Sequence, residues 1–149
     1  MKSSAESIEV RAADVRDVEA LARLAGELGY PSTIEQIRER LESVAGSPNH
    51  ATFVAETHRE GVVGWIQLAE VRVLEIEPRA EITGLVVDAR HRSAGVGRLL
   101  VERGEEWARA NGLRAMGVRS NMIRERAHAF YARLGYAVTK TQKVFRKEL

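Results

Sequence analysis

Apolar and polar positions recur along this chain with two periods, and the switches between them mark out its elements. Ile8 to Arg11 is a short strand-like run. Val15, Val18, Leu21, Ala22, Ala25 and Leu28 then follow helical spacing behind Asp14, which suits an N-cap. Gly29 and Pro31 stop that helix. A second apolar stripe, Ile34, Ile37, Leu41 and Val44, opens on the capping-box pattern Ser32-x-x-Glu35 and closes at Gly46 and Pro48. The period then shortens. Thr52 to Glu56 and Val62 to Val71 are β-rich runs joined by a turn containing Glu60-Gly61, which predicts a hairpin. Pro78 precedes a further strand, Ala80 to Val87, and residues 98–111 return to helical spacing with Gly112 as C-cap. Arg114 to Arg119 reads as a strand, Arg124 to Leu134 as a helix ended by Gly135, and Val138 to Arg146 as terminal β structure. This alternation predicts an α/β chain with a mixed sheet and helices on both faces. No repeat, low-complexity stretch or linker divides the 149 residues, so one domain, 1–149, is expected.

Composition narrows the chemistry. The 23 basic and 21 acidic residues leave a formal charge of +2, so no general nucleic-acid surface is expected. The absence of cysteine excludes disulfides, thiolate metal sites and a cysteine acyl-enzyme. His50, His58, His91 and His128 show no ligand spacing, so no metal is expected. No apolar run approaches the ~18 residues of a membrane span. The polar start, Met1 to Glu6, does not read as a signal peptide, and the expected setting is the cytoplasm.

The most informative segment is Arg92-Ser93-Ala94-Gly95-Val96-Gly97, between the strand ending at Val87 and the helix from Arg98. A strand feeding a glycine-containing loop into a helix offers unpaired backbone N–H groups and the positive end of the helix dipole to an anion. Arg92 and Arg98 bracket it with charge. A P-loop would need Lys-Ser/Thr after its second glycine, whereas Arg98-Leu99 follows Gly97. The dinucleotide fingerprint needs a third glycine where Leu100 stands.

What remains, Leu85-x-Val87-Asp88 followed by Arg-x-x-Gly-x-Gly, resembles the pyrophosphate loop of the GNAT acetyltransferase superfamily. A second block, Ala127-His128-Ala129-Phe130-Tyr131-Ala132-Arg133-Leu134-Gly135-Tyr136, is similar to that family's Ala-x-x-Phe-Tyr-x-x-x-Gly-Phe/Tyr segment. The two occur in the family's order, and the resemblance covers about residues 50 to 149. It implies a GNAT-like fold, with a mixed sheet of about six to seven strands and four helices. It also implies acetyl-CoA as cosubstrate and acetyl transfer to a primary amine of a small molecule or peptide, without metal, membrane or nucleic acid, in a possible homodimer. The pyrophosphate would meet the backbone from Arg92 to Gly97 and Arg98. The amides of the coenzyme's arm would pair with backbone of Leu85, Val86 and Val87, provided this strand and the Arg114–Arg119 strand diverge; Gly84 is a candidate to bend the strand there.

Amine acetylation poses two proton problems. An ammonium of pKa about 10.4 at about pH 7.4 costs about 4 kcal/mol to deprotonate, so a base is required. Glu81 matches a position where many family members place such a glutamate. Its alternative is an exposed strand-end carboxylate. The leaving thiolate needs a donor, and Tyr131 matches the tyrosine commonly used; its alternative is packing within the stripe Ala127, Phe130, Tyr131 and Leu134. Many members carry Asn three residues before the alanine at 127, where this chain has Arg124, with Asn121 three residues earlier. The acceptor side is bordered in the family by the segment Leu28-Gly29-Tyr30-Pro31, with Tyr30 a candidate pocket residue, and by residues 72–79. Glu70, Glu75 and Glu77 are candidates for an acidic approach to a cationic amine, and surface solubility is their equally simple alternative. The competing reading is a silent module that holds acyl-CoA and signals its level to a partner.

Overall fold

The computed structural model describes residues 7–92, 94–120, 122 and 124–149. They form two compact units, divided after Arg119.

The first unit carries one five-stranded sheet: β1 (Ile8–Ala12), β2 (His50–Thr57), β3 (Gly61–Val71), β4 (Arg79–Val87) and β5 (Met116–Val118), in that spatial order. Neighbours run antiparallel except β4 and β5, which are parallel, so the sheet is mixed as its sequence predicts. Between β1 and β2 lie α1 (Val18–Leu28) and α2 (Ile34–Val44); α3 (Val96–Ala110) links β4 to β5.

Two apolar layers hold the sheet. On one face, Leu21 and Leu24 of α1 pack with Val54, Val62 and Val86, and Ile37 and Leu41 of α2 flank them. On the other, α3 comes so close at Gly104 that a Cβ there would lie 2.8 Å from Leu68. Leu24 is 0% exposed, so Leu24→Ala is expected to cost about 2–5 kcal/mol, as other buried leucine truncations do, read from the shift in the midpoint of denaturant unfolding.

Local chemistry sets the element ends. Asp14 caps a short 3-10 turn, Val15–Asp17, which runs into α1, and Gly29 closes α1 in the left-handed region at φ 99°. The box at α2 sits one residue beyond its predicted register. Thr33 accepts from the Gln36 N–H at 3.1 Å, and the Gln36 side chain accepts from the Thr33 N–H at 3.0 Å. Ser32 instead donates to the Tyr30 carbonyl at 3.2 Å, and Thr33 is the N-cap.

Two further differences concern strands. The Arg114–Arg119 run pairs only over Met116–Val118. Val138 to Arg146 forms no strand: residues 137–149 have no regular secondary structure, and Val138, Val144 and Phe145 are exposed. The sheet therefore has five strands rather than six to seven. Alternating apolar residues are only a capacity to pair; without a neighbouring edge they stabilise no strand. The second unit, from Ser120, holds α4 (Glu125–Arg133) and this segment.

Candidate functional site

Strand β4 is the spine of the site. Its pairing with β5 covers only Ala80, Ile82 and Glu81 between them, and ends at Ile82 opposite Val118. Beyond that point, among the described residues, β4 pairs only with β3. A bulge falls there: Gln67 lies opposite Gly84 and Leu68 opposite Ile82, so Thr83 is the extra residue. Thr83 Oγ1 donates back to the Gln67 carbonyl at 3.2 Å. Gly84 has a packing reason as well, because a Cβ there would lie 2.7 Å from the Trp65 ring. The Asp88 N–H bonds to the Val63 carbonyl on the β3 side at 2.8 Å. By strand alternation, Val86 also directs its N–H and C=O toward β3, whereas Leu85 and Val87 direct theirs to the edge that β5 has left. An extended amide-bearing ligand has a backbone template there.

Downstream, Asp88 opens a 3-10 turn, Ala89–His91, and Gly95 brings the chain into α3 from the left-handed region at φ 85°. The helix starts two residues before its predicted onset, so Val96 and Gly97 belong to its first turn. Leu99 makes the first bond, its N–H donating to the Gly95 carbonyl. No side chain caps this end and no acid stands in its first turn. The N–H groups of Val96 and Arg98 find no acceptor among the described residues. Ala94 and Gly95 are exposed. Ser93 lies outside the described residues. Arg92 is exposed with no ion pair to a described residue, whereas Arg98 turns along the helix to Glu102 at 2.9 Å. The helix start thus offers amides, a dipole and one uncommitted guanidinium to a diphosphate.

A carboxylate placed beside these amides competes with any bound anion. Ala94→Asp is expected to weaken coenzyme A binding by about 10- to 100-fold while the melting temperature holds or rises slightly, because acids favour helix starts. Calorimetric titration at two salt concentrations checks it, with part of the affinity returning on screening at high salt.

Glu81 lies in the paired part of β4, opposite Gly117 of β5. Its side chain is 17% exposed, and Oε1 is ion-paired with Arg119 Nε at 3.0 Å. It is therefore a positioned, ion-paired carboxylate and not a loose strand-end charge. Arg119 had no signal in the sequence: only the β4–β5 register brings it to Glu81. Asp88 is more deeply buried, at 4% side-chain exposure. The Arg90 backbone N–H, then the Arg90 and Arg23 guanidiniums, hold its carboxyl at about 2 against the opposing effect of burial. That commitment to structural partners sets it apart from a proton acceptor.

On the acceptor side, Tyr30 is 72% exposed and stands at the C-terminal end of α1. Glu70 is engaged by Arg72 at 2.8 Å and Glu77 by Arg114 at 3.6 Å. Glu75 has no ion pair with a described residue, and the same segment exposes Val73, Leu74 and Ile76. Among the described residues no cluster of three or more His, Cys, Asp or Glu is placed to hold a metal, and no helix is long and apolar enough to cross a membrane.

In the second unit, Tyr131 is half-buried on α4, with its ring edge-on to Phe130 at 5.2 Å and to Tyr136 at 5.9 Å between centroids. Burial pushes its phenol above the ordinary tyrosine range, partly opposed by the charge of Arg124. Arg124 itself is exposed and precedes the first turn of α4 without a capping bond; Asn121 lies outside the described residues.

Residues 16–136 match the profile described as the acetyltransferase (GNAT) family. The chain belongs to that family. Among curated proteins, this GNAT chain is 25% identical over 119 residues to an aminoglycoside N(6')-acetyltransferase type 1 of Serratia marcescens, covering 77% of this chain and 82% of that one. It is 32% identical over 116 residues to the acetyl transferase GW6a of Oryza sativa subsp. japonica, covering 70% of this chain but only 28% of the relative's length. Among solved structures, the aminoglycoside N-acetyltransferase AAC(6')-Iy in complex with CoA superposes with a TM-score of 0.87 at 17% identity over 100% of both chains. That likeness establishes the GNAT-like fold expected of the sequence.

Proposed function

We propose that this GNAT protein transfers the acetyl group of acetyl-CoA directly to a primary amine of a small molecule or peptide. The observation that carries the proposal is the juxtaposition within the first unit of two backbone features: an α3 start without a cap and a β4 edge that β5 leaves after Ile82. A diphosphate with an amide-bearing arm matches both. In this reading Arg92 to Arg98, Ser93 included, receive the diphosphate, while Leu85 and Val87 pair with the arm and Val86 packs beneath.

The amine nitrogen attacks the thioester carbonyl carbon, and the C–S bond breaks. Before attack the ammonium gives one proton to Glu81, directly or through water; as the C–S bond breaks the sulfur takes a proton from Tyr131, and the second proton lost by the nitrogen passes through water to restore the phenol. The curated relative's name makes aminoglycosides the first acceptor class to examine, and the acidic Glu75 suits a cationic amine. Tyr30 is the proposed contact on the acceptor side. A single chain with no membrane partner satisfies this chemistry, and a homodimer is compatible with it.

The test is titration of purified protein with acetyl-CoA, followed by thiol release over a panel of aminoglycosides, polyamines, amino acids and lysine peptides. Saturable binding with turnover on one class supports the reading. Binding without turnover on every class supports the silent module, and absence of binding at millimolar cofactor overturns both.

A further inference from the structure

Arg92, Ala94 and Gly95 are exposed, yet an anion site made of backbone amides works only if those amides are held in place. Three segments distant in sequence converge just upstream, on Asp88. Its Oδ1 accepts from the Arg90 N–H at 3.0 Å, which shapes the 3-10 turn. Its backbone carbonyl accepts from the His91 N–H at 2.9 Å, and its own N–H still bonds to Val63 of β3 at 2.8 Å. Its Oδ2 accepts from Arg23 Nη1 of α1 at 3.2 Å, and Arg23 Nη2 donates to the Val62 carbonyl at 3.2 Å. From the β2–β3 turn, Glu60 Oε2 lies 3.6 Å from Arg90 Nη2 and 3.4 Å from His91 Nε2. The end of β4, the 3-10 turn and α1 are therefore tied at Asp88, and the hairpin turn joins them through Arg90 and His91.

We infer that Asp88, with Arg23 as its partner from α1, is a positioning residue for the donor site: the pair sets where the loop leaves β4 and so aims the α3 amides. It touches no reacting atom. The inference rests on the reading of that loop as the coenzyme site. The pair acts on the donor alone, since the carboxylate lies at the root of the loop and the charges it meets come from α1 and from the turn itself. Asparagine at 88 keeps an oxygen for the Arg90 N–H and loses the charge facing Arg23, whereas alanine loses both, so the two substitutions separate the turn from the tie.

The experiment compares Asp88→Asn, Asp88→Ala and Arg23→Met with the unaltered protein. It measures coenzyme A affinity by calorimetry, KM for each substrate, kcat, melting temperature, and hydrogen exchange of residues 89–97 in the ligand-free protein. The expected result is a rise of about 10-fold in Kd and KM for the coenzyme in Asp88→Ala, a smaller rise in Asp88→Asn, and a matching one in Arg23→Met. Amine KM and kcat stay near the original, and exchange of the loop amides accelerates. The Asp88→Asn and Arg23→Met effects are less than additive when combined, because both remove the Arg23–Asp88 contact. Unchanged coenzyme affinity in Asp88→Ala overturns the inference while leaving the proposed function standing. Parallel loss of both KM values, kcat and melting temperature also overturns it, since a general destabilisation would do that. An unaltered protein that binds no coenzyme A overturns the proposed function, and this inference with it.

Discussion

Removing the hydroxyl of Tyr131 with Tyr131→Phe is expected to lower kcat by about 10²- to 10⁴-fold, the range measured for a positioned general acid, with coenzyme A affinity nearly unchanged. The ring keeps its edge-on contacts with Phe130 and Tyr136 in the variant, so α4 has no reason to unfold. The pH profile carries the sharper test. A donor must hold its proton, and burial raises the Tyr131 phenol. On the proposed mechanism the unaltered protein therefore retains its acid through neutral pH and loses kcat only above about 10, the ordinary tyrosine value. That alkaline limb is expected to disappear in Tyr131→Phe. A variant with the original kcat and the same limb would assign Tyr131 to packing alone.

Glu81→Gln is expected to reduce kcat/KM for the amine by at least about 10²-fold at neutral pH. Glutamine retains an oxygen for Arg119, so the contact that holds the side chain is kept while the capacity to take a proton is lost. Activity is expected to recover partly as pH approaches the acceptor's own pKa, where free amine no longer requires a base. Coenzyme A affinity stays the same, because Glu81 precedes the open part of β4. Arg119→Ala offers a control. Arg119 is mostly exposed, so its loss costs little stability, within about 1 kcal/mol, and isolates what the ion pair does for turnover. Equal kcat/KM in Glu81→Gln would remove the carboxylate from the mechanism.

The donor half of the site was legible because it depends on short-range order. A strand ending in Leu85-x-Val87, a glycine permitting positive φ at 95, and a helix start without an acid or a capping side chain are all consecutive in the chain, and the proposed anion site is built from their backbone amides. The helices were legible for the same reason: the stripe of Leu21, Ala25 and Leu28 needs only its own spacing to declare a buried face. The misplaced α2 box shows the limit of local reading. Ser32-x-x-Glu35 and Thr33-x-x-Gln36 are chemically equivalent patterns, and the helix uses the second.

Strands carry less of their own information, because each is stabilised by a neighbour. Arg114 to Arg119 and Val138 to Arg146 have comparable alternation, yet the first pairs over Met116–Val118 and the second pairs nowhere among the described residues. The same physics governs the side chains around the site. By itself the sequence determined that a strand, a glycine-containing turn and a helix follow one another, and it supplied the glutamate and the tyrosine on which the proposed chemistry rests. Tertiary structure alone decided that β5 leaves β4 after Ile82, that Arg119 meets Glu81, and that Arg23 crosses from α1 to Asp88. Helix starts and turns are settled by residues three or four apart, whereas strand edges and ion pairs across 38 or 65 positions exist only after distant segments have packed.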